Sequence, residues 1–147
     1  MKIYLDNCCL NRILDDRSYP IIYLERNSVM LILELVEQGR IRMIGSDMLK
    51  KEISDAPSVL KQNKLSLMYS LCDSEVRVSE EIVDRALEIR GVSNIRTKDS
   101  IHLACAESAN VDVLLTTDRK FMNNANRIPA KVRVMNPTEW LLEVISC

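Results

Sequence analysis

Four acidic residues, Asp6, Glu52, Asp99 and Asp118, stand where chemistry is most easily built in a chain of alternating strands and helices. Asp6 follows the apolar run KIYL at residues 2–5, and Asp118 follows VDVLLTT at 111–117. Asp99 falls in the first turn of a helix expected over 98–109. Glu52 lies further along a helix expected over 46–53, and helical side chains lean back toward their N-terminus. Gathered carboxylates repel one another unless a positive charge sits among them. Mg²⁺ and Mn²⁺ take oxygen ligands readily, and two such ions about 3.5–4 Å apart can assist phosphodiester hydrolysis. Taken alone, the residue types reach a divalent-cation site and stop there. Each acid also has a plainer reading. Asp99 can complement a helix dipole, Asp118 can cap the helix after it, and Glu52 can be a solvated acid like Asp47 and Asp55. Asp6, at the end of an apolar strand, is the hardest to explain plainly.

The elements that must position these acids can be read from periodicity and punctuation. Strands are expected over 2–5, 41–44, 75–78, 111–116 and 132–135. Helices are expected over 19–38, 46–53, 58–71, 80–90, 98–109 and 118–123. Pro20 and Gly39 bracket the second element. Ser46, Ser79 and Thr97 are expected caps, and Asn136-Pro137-Thr138-Glu139 opens a last helix. Strands alternating with helices predict a mainly parallel five-stranded sheet with helices on both faces. No linker or repeat divides the chain, so residues 1–147 read as one α/β domain. In such sheets the carboxyl ends of the strands share one edge, and ligands bind there. All four acids point to that edge.

Bulk composition narrows the classes. Of 147 residues, 47% are apolar, enough for a core without disulfides or a structural metal. A net charge of −1 gives no global basic field, so any polyanion partner must be held by local patches. Five cysteines without a CxxC pair, beside a single histidine, do not make a usual zinc set. They read as reduced thiols of a cytoplasmic protein. The start MKIYLD lacks the apolar core of a signal peptide, and no apolar run approaches a membrane span.

The segments KIYLDNCCLNR (2–12), SDMLKKEI (46–53), TKDSIHLACA (97–106) and LLTTDRKF (114–121) resemble, in that order, the PIN-domain nucleases. That family includes the toxin ribonucleases of bacterial and archaeal toxin–antitoxin pairs. The resemblance implies a three-layer α/β/α fold and an Mg²⁺- or Mn²⁺-dependent endoribonuclease. It implies catalytic Asp6, Glu52, Asp99 and Asp118, with Asp6, Asp99 and Asp118 as the ion ligands. Thr116 is similar to the hydroxyl that organises the last-acid loop, and Ser46 to the small polar residue opening the second-acid helix. Asn7 stands where many relatives carry Thr or Ser; its amide can still donate to a carboxylate, water or phosphate. The implied products carry a 5′-phosphate and a 3′-hydroxyl. The implied partners are an RNA substrate, a cognate antitoxin protein and a second copy in a homodimer.

Arg12, Arg96, Lys98, Arg119 and Lys120 flank the acidic segments and are candidates for RNA phosphates, or else ordinary surface charges. His102 lies three residues after Asp99 on nearly the same helix face. It is attractive as a metal ligand or general base, but a hydrogen-bonded packing role is the expectation. Cys8 and Cys9 are expected behind Asp6 as buried helpers. The 19–38 helix has more apolar residues than one buried stripe needs, Ile21, Leu24, Met30 and Leu31 among them, which fits a dimer or antitoxin contact. Three other readings compete. The first is a catalytically silent relative that binds RNA or acts as a scaffold. An aspartyl-nucleophile phosphohydrolase wants an acid where Cys8 stands, and a flavodoxin-type module wants a phosphate loop that a chain with three glycines lacks.

Overall fold

The computed structural model describes residues 1–145. Along the chain run β1 (Lys2–Leu5), α1 (Asn7–Arg12), α2 (Pro20–Glu37), β2 (Arg42–Ser46), α3 (Asp47–Ser54) and α4 (Val59–Tyr69). There follow β3 (Ser74–Val76), α5 (Glu80–Gly91), α6 (Thr97–Ser108), β4 (Val113–Leu115), α7 (Arg119–Ala125), β5 (Arg133–Met135) and α8 (Pro137–Ile145). The five strands form one sheet in the order β3-β2-β1-β4-β5, and every pairing is parallel. The expected α/β architecture is therefore present, with the sheet wholly rather than mainly parallel.

Strand alternation divides the core into two halves. Ile3, Leu5, Met43, Val113 and Leu115 face the layer formed by α1, α2, α3, α4 and α8. Tyr4, Ile44, Leu114 and Val134 face α5, α6 and α7. The three inner strands β2, β1 and β4 are buried on both faces, which is why β1 and β4 read as continuous apolar runs. Ala104 and Ala106 of α6 are buried with no bulk beyond Cβ, so this helix can lie close to the sheet. Two glycines have clear backbone reasons. Gly39 adopts φ +75° just after α2 and its N–H closes on the Val36 carbonyl at 2.9 Å. Gly45 lies under the Tyr69 ring, where an added Cβ would come within 2.5 Å of the phenolic oxygen.

Caps follow the sequence in most places. Ser46, Ser58 and Ser79 accept from the third residue of their helices, and Asn136 accepts from Thr138 N. Two features differ from expectation. Thr97 is the first residue of α6, and the capping position is Arg96, which makes no side-chain cap bond. Its guanidinium is drawn instead to two carboxylates described below. The short helix α1 was not anticipated; Asp6 caps it by accepting from Asn7 N.

β1 is central, with β2 on one side and β4 on the other. The chain steps outward from β1 through β2 to β3, then crosses back to β4. The strand order thus reverses between β1 and β4, and the crevice beyond their carboxyl ends is the position where open α/β sheets bind ligands.

Candidate active site

Asp6 leaves β1 at this crevice and is held from several sides. Its backbone N–H still belongs to the sheet, donating to the Leu115 carbonyl at 3.0 Å. One carboxylate oxygen, Oδ1, accepts from Asn7 N at 2.7 Å. The other, Oδ2, accepts from the Thr116 hydroxyl at 2.9 Å. Thr116 also accepts from Asp118 N at 3.1 Å, so one buried hydroxyl ties the end of β1 to the loop that carries the fourth acid. The Cys8 thiol fills the space behind this pair, 3.4 Å from Asp6 Oδ2 and 3.2 Å from Thr116 Oγ1. Cys9 is buried and donates to the Leu115 carbonyl. Both thiols lie against the Asp6 corner, Cys9 buried as expected and Cys8 only half-buried. All donors to Asp6 in this corner are neutral.

Glu52 reaches the same corner from α3, where it meets His102 of α6. The His102 ring is fully buried; its Nε2 is hydrogen-bonded to Glu52 Oε1 and lies 3.8 Å from Asp6 Oδ1. On the opposite edge, Nδ1 lies 2.6 Å from the Tyr4 hydroxyl. Tyr4 in turn lies 2.6 Å from Ser46 Oγ, which accepts from Leu49 N at 3.1 Å. A line of polar groups thus runs under the site from the first turn of α3 through β1 to the Glu52 carboxylate. Burial alone would lower the His102 pKa, but the Glu52 hydrogen bond and the Asp6, Glu52 and Asp99 charges raise it above its usual value. Burial pushes the Tyr4 phenol well above its ordinary range, so it acts here as a neutral hydroxyl.

Asp99 and Asp118 form the other half of the site. Asp118 caps α7 through Phe121 N at 3.1 Å, as the plainer reading of that residue anticipated. Its remaining oxygen receives Arg96 Nη2 at 2.9 Å, and the same nitrogen lies 3.4 Å from Asp99 Oδ2. Asp99 is buried, and its pKa is pushed up to about 6 by that burial and by the Asp6 charge, against the attraction of Arg96. The Arg96 side chain is 70% exposed, so the cation that joins these two acids is a solvent-screened surface charge.

The residues fit a divalent ion. Asp6, Glu52 and His102 each offer a ligand atom within 4.8 Å of the others, the group among the described residues that best suits a metal. Asn7 Oδ1 beside them is buried without a hydrogen-bond partner. Of the ligands expected from the sequence, Asp6 belongs to this group, while Asp99 and Asp118 share Arg96 and Asp99 lies near enough to feel the Asp6 charge. Periodicity put His102 on the Asp99 face, but its contact with Glu52 depends on how α3 and α6 pack, and no sequence signal carried that. Of the basic candidates, Lys98 lines a cavity of about 260 Å³ with Asn7, Asn11, Glu52 and Lys61. Lys120 lines a cleft with Arg96, Asp99 and Asp118, and Arg119 a neighbouring cavity with Asn123 and Asn126. Arg12 is occupied by Glu25 and Asp15, each at 2.8 Å.

Comparison with protein-family models matches residues 3–126 to the PIN domain. Comparison with curated protein sequences returns no match. Among solved structures, the chain is similar to VapBC2 of Rickettsia felis, crystallised on a DNA fragment from its promoter. The TM-score is 0.66 at 18% identity, over 92% of this chain and 98% of that one. A toxin–antitoxin complex of Klebsiella pneumoniae gives 0.63 at 18% identity, over 92% and 97% of the two chains. VapBC-1 of nontypeable Haemophilus influenzae gives 0.59 at 19%, over 94% and 99%. At these identities the structures establish a shared fold.

Proposed function

We propose, from the premise that this chain belongs to the PIN domain family, that it is a divalent-metal-dependent endoribonuclease acting as the toxin of a toxin–antitoxin pair. The observation that carries the reading is the convergence of Asp6, Glu52, Asp99 and Asp118 on the crevice between β1 and β4. The side chains that would hold phosphates in this reading are Lys98, which shares a cavity with Glu52, and Lys120, which shares a cleft with Asp99 and Asp118, with Arg119 and Arg12 as further candidates. A bound Mg²⁺ or Mn²⁺ would supply positive charge for the phosphoryl oxygens and lower the pKa of water at that point.

The chain's own residues have distinct tasks in this reading. Thr116, Cys8 and Asn7 N fix the Asp6 carboxylate, and Oδ1, with a single donor, keeps a lone pair for the crevice. His102 holds Glu52 turned inward in the ion-free protein, and Glu52, with 18% of its side chain exposed, can receive a proton from the attacking water. Arg96 can leave Asp118 for a phosphate, since its exposed pairing is weak. Water then adds to phosphorus, the ribose 3′-oxygen leaves and takes up a proton, and the new ends are a 5′-phosphate and a 3′-hydroxyl. We take residues 1–147 as one nuclease domain in the cytoplasm.

An antitoxin partner is supported by the similar structure from Klebsiella pneumoniae, which is a toxin–antitoxin complex. It is supported also by exposed apolar side chains on and beside α2, namely Tyr19, Ile21, Tyr23, Leu24 and Met30. The same face suits a homodimer. The rival reading, a silent RNA-binding relative, draws on one observation: Arg96 already neutralises Asp99 and Asp118. Cleavage of a single-stranded RNA with and without Mn²⁺, by wild type and Asp6→Asn, tests the choice. Ion-dependent cutting lost in Asp6→Asn supports the nuclease; equal, ion-independent rates in both proteins overturn it.

A further inference from the structure

We infer that His102 is a nitrogen ligand, so that Asp6, Glu52 and His102 form a mixed nitrogen–oxygen ion site that prefers transition-metal dications to Mg²⁺. This rests on the metal-dependent reading above and names a ligand which that reading does not require. A histidine ligates through one ring nitrogen while the other is held by a hydrogen-bond partner that sets tautomer and orientation. Here the second partner is built in. His102 Nδ1 meets the Tyr4 hydroxyl, and Tyr4 meets Ser46, while Nε2 faces two carboxylates.

Two proton arrangements satisfy these contacts. In the first, Ser46 donates to Tyr4, Tyr4 donates to His102 Nδ1, and Nε2–H donates to Glu52. In the second, Nδ1–H donates to Tyr4, Tyr4 donates to Ser46, and the Ser46 hydroxyl turns to Cys105, with which it also interacts. The proton count is the same in both. The tautomer exchange and two hydroxyl rotations leave the buried ring where it is. The second arrangement points a lone pair at the Asp6 and Glu52 oxygens, which is favourable only with a cation between them. The partly exposed Glu52 side chain has the freedom to shift outward to admit one. The corner is therefore prepared for both states, protonated Nε2 without an ion and ligating Nε2 with one. Imidazole in a donor set favours Mn²⁺, Co²⁺ and Zn²⁺ over Mg²⁺.

The chain has one histidine, so its ring nitrogens are read without ambiguity. The test is a long-range ¹H–¹⁵N spectrum of the full-length, ¹⁵N-histidine-labelled protein titrated with Zn²⁺ and, separately, Mg²⁺. The expected result is that Zn²⁺ converts Nε2 from protonated to metal-bound and Nδ1 to protonated, with Mg²⁺ far weaker. Asp6→Asn should abolish the Zn²⁺ change, and Tyr4→Phe should weaken Zn²⁺ binding about 10–100-fold. An Nε2 that keeps its proton at saturating Zn²⁺, or a change that survives in Asp6→Asn, overturns the assignment. Mn²⁺-supported RNA cleavage by the same sample separates the two failures. Cleavage with a silent His102 defeats only the ligand assignment, whereas no ion binding and no cleavage defeats the nuclease reading with it.

Discussion

The two halves of the crevice neutralise their acids by opposite means. Around Asp6 and Glu52, compensation comes from buried groups with fixed geometry: Thr116, Asn7 N and the His102–Tyr4–Ser46 line. Around Asp99 and Asp118 it comes from one exposed guanidinium at the edge of α6. Buried hydrogen bonds hold a site in shape whether or not a ligand is present. An exposed ion pair contributes little to stability and yields readily to a competing phosphate or ion. The first half is thus a preorganised floor, and the second a gate whose charge can be withdrawn.

The largest effect is expected at the floor. Asp6→Asn should lower ion-dependent RNA cleavage on the order of 10²–10³-fold, measured as kcat/KM at fixed Mn²⁺. A loss below tenfold would move the ion away from β1. Next in size, His102→Leu removes the partner of both Tyr4 and Glu52 inside the core. It should destabilise the protein by about 2–4 kcal/mol in urea unfolding. A cost near zero would show that the buried line is ornamental to the fold.

Asp99 gives a pH-dependent contrast. Its folded pKa of about 6 lies above the ordinary carboxylate value, so the folded state holds this proton more tightly than the unfolded chain. Its contribution to stability falls as pH rises from about 4 to 6, and the penalty is complete above that window. Asp99→Asn should therefore stabilise the ion-free protein at pH 7.5, by about 1–2 kcal/mol. At pH 4 it should leave stability nearly unchanged. Thermal unfolding at the two pH values checks this; a gain that is equal at both would remove Asp99 as its source. The smallest effect is expected at the gate. Arg96→Gln should tighten Mn²⁺ binding by at most about fivefold, since an exposed pair amounts to about 1 kcal/mol or less. Calorimetric titration would detect it, and weaker binding would show that Arg96 supports the ion instead of competing with it.

The sequence revealed the frame of this site better than its interior. Apolar runs ending in Asp6 and preceding Asp118 located β1 and β4, because strands buried on both faces have no polar alternation to blur them. The caps Ser46 and Ser79 marked their helices. α1 escaped notice because NCCLNR spans under two turns and its cap, Asp6, had already been read as a site acid. The partners of the charged groups were the other loss. Arg96 and Arg12 read either as candidates for RNA phosphates or as ordinary surface charges; in the fold Arg96 lies on Asp99 and Asp118, and Arg12 on Glu25, a buried acid of α2 also bound by Asn136. Such pairings depend on how helices pack across loops, and spacing along the chain does not encode that. The same holds for His102 and Glu52, fifty residues apart.

Hydrolysis supported by an ion at the β1–β4 crevice is the chemistry on which every assigned role depends. The most direct measurement is the chemistry of the RNA ends formed by purified protein with Mn²⁺ and with chelator. Fragments bearing 5′-phosphate and 3′-hydroxyl ends, formed only with the ion, are the predicted result. Cyclic-phosphate ends, or fragments formed equally in chelator, would contradict it.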